Sequence, residues 1–192
     1  MSLSTTKSHS WHRDGFLIST DPSLIDLQAI NAAFDTDQLP WAQKLSDEEL
    51  KVMVQHSVCF GLYAATVEPV DTTATTSIPT PDSSGGGTRS STPGMIGLAR
   101  VCTDYVTMAY LTDVYILPEY QRRGLGEWLI DCVKEWWDEM PSGRRMLLIA
   151  KEGKAEEFYA RRLASGRMEN DREKKKEGTY RVFTARGRGA RV

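Results

Sequence analysis

Cysteine is scarce in this sequence and never clustered. Cys59, Cys102 and Cys132 stand in separate apolar segments, with no Cys-x-x-Cys pair among the 192 residues. A disulfide framework needs paired cysteines and a zinc ribbon needs closely spaced ligands, so both are disfavoured and a reducing compartment is the simplest setting. Long apolar runs are also missing. None approaches the roughly 20 residues of a membrane helix, so no membrane association is expected. Met1 to Asp14 is rich in Ser, Thr and His and has no apolar stretch of the kind a secretory leader carries. The expected location is therefore cytoplasmic, with the nucleus left open. Histidine is rare: His9 and His12 lie in that polar start, and His56 falls in a helical segment as a structural residue.

Charge of one sign is missing overall but not locally. The formal net charge is −2. Residues 151–192 hold 13 Lys/Arg against 7 Asp/Glu, a net of +6, which leaves −8 on residues 1–150. The basic end includes Lys174-Lys175-Lys176 and Arg186-Gly187-Arg188. No aromatic residues interleave with these charges, so the tail at 186–192 reads as solvated chain and nucleic acid is not an expected partner.

What remains is an ordinary globular composition, long enough to bury roughly 70% of its unfolded surface in one core. Residues 1–14 read as a flexible terminus and residues 15–185 as one domain. Phe16 to Thr20 reads as a strand. Asp21-Pro22 opens a helix to residue 34, with Asp as N-cap and Pro at its first position. Ser46-x-x-Glu49 is a capping box opening a second helix. Val58 to Ala64 and Met95 to Val101 read as strands joined antiparallel by a Thr/Ser/Pro/Gly-rich insertion at 69–94, too poor in apolar residues to pack. Ala109 to Leu117 reads as a long strand and 125–140 as a helix with Leu125, Leu129, Cys132, Val133, Trp136 and Met140 on one face. Met146 to Ala150 is continuous enough for a strand buried on both faces. A helix at 154–163 and a strand at 179–185 complete an α/β (α+β) order, β-α-α-β-β-β-α-β-α-β.

The chemistry concentrates at Leu117-Pro118-Glu119-Tyr120-Gln121-Arg122-Arg123-Gly124-Leu125-Gly126. Two glycines at the mouth of a helix let backbone approach an anion, the first-turn N–H groups point at it, and two arginines add charge. A Walker loop would need Lys-Ser/Thr after Gly126 and a dinucleotide fingerprint a small residue at 129; Glu127-Trp128 and Leu129 stand there instead. A diphosphate fits, as would an ordinary capped turn.

Gln121-Arg122-Arg123-Gly124-Leu125-Gly126 after a strand resembles the Gln/Arg-x-x-Gly-x-Gly/Ala motif of the GNAT superfamily of acyl-CoA-dependent N-acyltransferases. The order of elements over most of residues 15–185 is similar too. Trp41-Ala42 and the Ser57 to Tyr63 strand resemble small single-domain members. The resemblance implies a mixed, mostly antiparallel sheet, splayed at the cofactor cleft, with helices on both faces. It implies acetyl-CoA as cofactor, with the pantetheine arm on the backbone of Val114, Ile116 and Leu117 and the pyrophosphate on residues 121–126: Gln121, Arg122, Arg123, Gly124, Leu125 and Gly126. It implies acetyl transfer to a primary amine, expected to be a small-molecule substrate, with Tyr159 as general acid. A protein lysine or N-terminus as acceptor, and a non-catalytic acyl-CoA-binding module, are the alternatives. The sequence departs from the family after Tyr159, where the usual Gly-Phe reads Leu163-Ala164. Positions used for a general base read Tyr110 and Thr112, which leaves Asp113 as the nearest ionisable group, either relaying through water or anchoring a turn; Glu119 is a more distant choice. Strict alternation would put Asp113 on the face of Leu111 and Tyr115, opposite Tyr110, Thr112 and Val114. Trp41, Asp35 and Asp37 are the expected acceptor-side residues. No metal is expected, and the enzyme is expected as monomer or homodimer.

Overall fold

A computed structural model of the chain describes residues 7–64, 94–151, 153–163, 166–167 and 180–186. The described residues form one eight-stranded sheet in the order β1-β2-β3-β4-β5-β6-β8-β7. Its strands are β1 (Ser10–Arg13), β2 (Phe16–Ser19), β3 (Val58–Ala64), β4 (Gly94–Thr103), β5 (Met108–Ile116), β6 (Arg145–Lys151), β7 (Gly166–Arg167) and β8 (Tyr180–Arg186). The helices are α1 (Leu27–Phe34), α2 (Asp47–Gln55), α3 (Leu125–Asp138) and α4 (Lys154–Leu163). Every strand pair is antiparallel except β5 with β6. No described helix is long and apolar enough to cross a membrane.

The expected flexible terminus does not extend to residues 10–13. Asp14 and Gly15 both take positive φ (49° and 79°) and join β1 to β2 with only those two residues between the strands. An Asp-Gly turn of this kind matches the twist of a hairpin. Trp11 stacks on Phe60 at 6.0 Å, and His9 stacks on Trp11 and bonds Glu139 Oε2 at 2.9 Å, so the segment is tied to the core.

α1 also starts later than the sequence suggests. Asp21 caps only a short 3-10 turn at Pro22–Leu24, and the helix begins at Leu27. Asp26 is its N-cap and accepts from the N–H groups of Gln28 and Ala29, two otherwise orphaned donors. The capping box of α2 forms as expected: Ser46 Oγ accepts from Glu49 N–H, and Glu49 accepts from Ser46 N–H.

α1 and α2 cover one face of the sheet through Ile30, Phe34, Leu50 and Val54, packed on Cys59, Tyr63, Leu98 and Tyr115. α3 and α4 cover the other, where Leu129, Ile130, Val133 and Trp136 meet Phe60, Val101, Leu111 and Met146. The cluster under α1 and α2 takes nothing from β6. That explains a departure: β6 is not buried on both faces. Met146, Leu148 and Ala150 are buried, whereas Ile149 is 50% exposed.

Two irregularities shape the sheet's middle. β5 and β6 pair only from Met108–Arg145 to Leu111–Leu148, after which the parallel strands part. β5 also carries a bulge. Arg100 opposes Thr112 but Leu98 opposes Tyr115, and Asp113 sits between with φ of 48°. An inserted residue reverses the alternation beyond it. Leu111, Val114 and Ile116 therefore pack toward α3, while Tyr115 packs toward α1 and α2. The strict alternation expected for this strand is corrected accordingly.

Residues 65–93, most of the expected insertion, lie outside the described residues, but Ala64 and Gly94 at its ends are direct register partners. Replacing 65–93 by Asn-Gly should therefore close a tight hairpin and leave the far-UV circular dichroism spectrum unchanged. The melting temperature should move by no more than about 4 °C, the effect of about 1 kcal/mol in a chain this size. Loss of soluble protein would show that the removed segment packs on the domain.

Candidate active site

Past Leu117 the chain makes a 3-10 turn, Pro118–Tyr120, and enters α3 through Gly124, whose φ of 72° is the left-handed conformation that suits glycine. Arg122 takes φ of 60° in the same turn. Among the described residues no side chain caps the helix. The N–H groups of its first turn therefore form a ready anion cradle. Leu125 turns its side chain into the core, so only its backbone can serve that cradle. A Cβ on Gly126 would meet Ile116 Cδ1 at 3.6 Å and no nearer atom, so the glycine borders space beside the end of β5. Gln121 braces the turn by donating from Nε2 to the Ile116 carbonyl at 2.8 Å. Arg123 donates to the Glu119 carbonyl and lies over Tyr120.

A third arginine joins them from an unexpected direction. Arg13, at the end of β1, lies 4.7 Å over the Trp128 ring and donates from Nη2 to the Gly124 carbonyl at 3.2 Å. Reading the N-terminus as mobile hid it; the Asp14-Gly15 pair was the available signal for a hairpin that brings it here.

The open edge of β5 continues from this cradle. Leu117 N–H bonds the Ile96 carbonyl at 2.9 Å while Ile116 faces Gly97. In that antiparallel pattern the backbone groups of Ile116 point away from β4, toward the side that β6 has left; its carbonyl is taken by Gln121 Nε2, which leaves its N–H on that side. Val114, two residues earlier, has the same orientation. Leu117 is different: its N–H is held by Ile96 and its carbonyl by Tyr120 N–H.

Where β5 and β6 part, a cavity of about 420 Å³ opens. Tyr110, Leu111, Thr112, Asp113 and Val114 line it from β5, Leu148 and Ile149 from β6, Tyr159 from α4, and Pro40 and Trp41 from the α1–α2 loop. Asp113 is buried, and its Oδ2 accepts from Arg100 Nε at 2.7 Å. Oδ1 accepts from the Thr112 hydroxyl at 3.1 Å and from the Trp41 indole at 3.4 Å. Arg100 is anchored in turn by Ser57 Oγ at 3.0 Å and Cys102 Sγ at 3.2 Å. Burial is the largest single influence and works against its charge, but the Asp113 carboxylate, its hydrogen bond and the nearby Cys102 and Cys59 together outweigh it and hold the guanidinium above its ordinary pKa. Arg100 carried no motif, and only the bulge opposite it reveals its partner.

Tyr159 reaches the same cavity, its ring edge-on to Phe158 at 5.0 Å. Burial pushes its phenol up to about 12. The Leu163-Ala164 departure leaves this placement intact: α4 runs to a buried Leu163, and Ala164 lies outside the described residues. Of the expected acceptor-side residues, only Trp41 lines the cavity. Asp35 ends α1 and pairs with Lys44 at 2.6 Å; Asp37 is exposed on the loop. Glu119 is exposed in the 3-10 turn, and His56 is the exposed C-cap of α2.

Comparison with known proteins agrees with this geometry. The family model described as an acetyltransferase (GNAT) domain matches residues 90–162, from β4 through the bulge, the α3 cradle and Tyr159. FG08082 of Gibberella zeae, provisionally named an acetyltransferase, is 37% identical over 150 residues, covering 78% of this chain and 80% of its own. The chain belongs to the GNAT acetyltransferase family. The GNAT-family structure from Xanthomonas campestris, also provisionally named an acetyltransferase, superposes with a TM-score of 0.55 at 27% identity, over 78% of this chain and 84% of its own. A Vibrio cholerae spermidine N-acetyltransferase in complex with CoA and spermine shares the fold, with a TM-score of 0.54 at 13% identity, over 93% of this chain and 92% of its own. This GNAT protein is thus an N-acetyltransferase, with the mixed α/β sheet and parted β5 and β6 described above.

Proposed function

We propose that this GNAT enzyme moves an acetyl group from acetyl-CoA to a primary amine of a small molecule. The observation that carries this reading is continuity: a helix N-terminus with no side-chain cap among the described residues, a strand edge from which β6 has parted and a cavity lined by both Tyr159 and Asp113 succeed one another along β5. The residues fit the donor. The α3 amides with Arg13, Arg122 and Arg123 suit a diphosphate, the glycine at 126 leaves it room, and the β5 edge offers strand-like hydrogen bonds to an amide-bearing arm. Acetyl-CoA, when bound, supplies the activated acetyl group.

The protein's part follows from its groups. Val114 N–H bonds the thioester carbonyl oxygen and stabilises the negative charge that develops there. An alkylamine enters mostly as ammonium, and Asp113 Oδ1 accepts its proton directly or through water. The freed lone pair attacks the carbonyl carbon, the C–S bond breaks as the Tyr159 hydroxyl gives its proton to the departing sulfur, and the new amide nitrogen sheds its surplus proton to solvent, from which the Tyr159 phenolate is reprotonated. The Tyr159 phenol stays protonated across neutral pH because burial raises its pKa. We place the enzyme in the cytoplasm, where its three cysteines would remain thiols.

The test is thiol release from acetyl-CoA over a panel of amines, with the product mass rising by one acetyl group. Release with no member of the panel would overturn the proposal. Arg13 gives a sharper check on the donor side. Arg13→Ala should raise KM for acetyl-CoA about 10-fold and leave kcat unchanged, because the phosphate contact is made equally in ground and transition states. An unaltered KM would remove Arg13 from the donor site.

A further inference from the structure

We infer that the acceptor is a small monoamine with an apolar body, its single ammonium docked on Asp113 and its body against Trp41 and Ile149. This rests on the acetyl transfer proposed above and names the acceptor class.

Asp113 is the one carboxylate among the described residues that line the cavity. It is held there at some cost. Its φ of 48° is unusual for a residue with a side chain, and its carboxylate is removed from water. Backbone strain and a buried charge persist together only where the surroundings enforce them. The enforcing group is Arg100, which binds Oδ2 from behind at 2.7 Å and does not line the cavity. Oδ1 is the oxygen with the weaker partners, since its indole contact at 3.4 Å is long for a hydrogen bond. An ammonium gives Oδ1 a shorter, charge-assisted bond in the place of that contact.

The side of the lining formed by Pro40, Trp41, Leu148 and Ile149 suits a hydrocarbon. Trp41 and Ile149 are 56% and 50% exposed, two large apolar side chains left in water at one cavity. A body that covers them gains the free energy of the area removed from water, and the Trp41 face can also attract the cation. A polyamine brings further ammonium groups, and no second carboxylate lines the cavity among the described residues; Asp35 lies outside it, paired with Lys44. A peptide brings backbone amides that need partners on both sides of the reacting nitrogen; Pro40, Leu148 and Ile149 offer none, the Thr112 hydroxyl already donates to Asp113, and Tyr110 and Tyr159 bring one hydroxyl each, fewer than the amides need. A volume of about 420 Å³ falls at the small-molecule end of ligand sites.

The test uses the full chain with acetyl-CoA and measures kcat/KM for 2-phenylethylamine, 3-methylbutylamine, spermidine and a tripeptide with a free N-terminus. The two monoamines should exceed spermidine and the peptide by about 10²-fold, the discrimination that an unpaired buried group imposes. Spermidine or the peptide matching them would overturn the acceptor class and leave acetyl transfer standing. No turnover with any of the four would overturn both. Two variants locate the contact. Trp41→Ala, at an exposed position, should raise KM for 2-phenylethylamine about 10-fold without changing KM for acetyl-CoA; an unchanged amine KM would overturn the assignment of the body. Asp113→Asn should lower kcat/KM for 2-phenylethylamine about 10²-fold while the coenzyme A-induced rise in melting temperature persists. Full activity in that variant would overturn the docking of the ammonium.

Discussion

Coenzyme A should raise the melting temperature of the wild-type protein and leave that of Gly126→Asp unmoved. A ligand that binds only the folded state stabilises it by RT ln(1 + [L]/Kd), about 2.7 kcal/mol at a hundredfold excess over Kd. The substitution places a carboxylate against the diphosphate in the α3 cradle. It does so without harming the fold, because the new Cβ meets nothing nearer than Ile116 Cδ1 at 3.6 Å. A negative charge in the first turn of a helix is itself favourable by about 0.3–1 kcal/mol. The variant without ligand should therefore melt at or slightly above the wild-type temperature while losing the response to coenzyme A. Opposite signs in one variant separate lost binding from lost structure. Gly124→Asp is less informative, since its φ of 72° strains any residue with a side chain. A Gly126→Asp protein that still responds like wild type would mean that the diphosphate does not rest on α3.

The turn into α3 was legible in the sequence because its geometry is local. Gln121 to Gly126 is contiguous, follows a long apolar strand and opens a helix whose apolar spacing is regular, so each residue's place follows from its neighbours. The capping box at Ser46 and Glu49 was readable for the same reason. The cavity between β5 and β6 was not, because its geometry depends on contacts distant in sequence. Alternation assumes an unbroken pleat, and the bulge at Asp113 changes that. Nothing near residue 113 signals the bulge. It is stabilised by Arg100, thirteen residues away on β4, and Arg100 by Ser57 at the end of the α2 region. Arg13 was missed through composition: a polar start resembles a loose end, yet two residues with positive φ were enough to fold it back as a strand beside α3. Ile149 shows the limit of an apolar run as a sign of burial. It lies among buried neighbours in sequence but faces the side of β6 that α1 and α2 do not cover.

Tyr159→Phe should lower kcat by about 10²-fold or more, the scale of a lost general acid. KM for acetyl-CoA should barely change, because the hydroxyl is needed when charge gathers on sulfur and much less in the bound ground state. Phe keeps the ring and its edge-on contact with Phe158, so the fold should survive. pH supplies an independent reading. Burial raises the phenol to about 12, so the wild-type donor stays protonated through pH 10 and is lost only as pH climbs toward 12. The kcat profile, read with the amine saturating, should show no fall below about pH 10. Stability follows the same sign. A phenol whose folded pKa lies above its unfolded value near 10 contributes stability that is complete below pH 10 and disappears as pH rises through about 12. Phe cannot ionise, so the variant should lose less stability than wild type across that window, although its turnover is far lower. A variant with wild-type kcat would leave the thiolate to be protonated by solvent. A wild-type profile that falls between pH 8 and 9 would assign the donor to some other group.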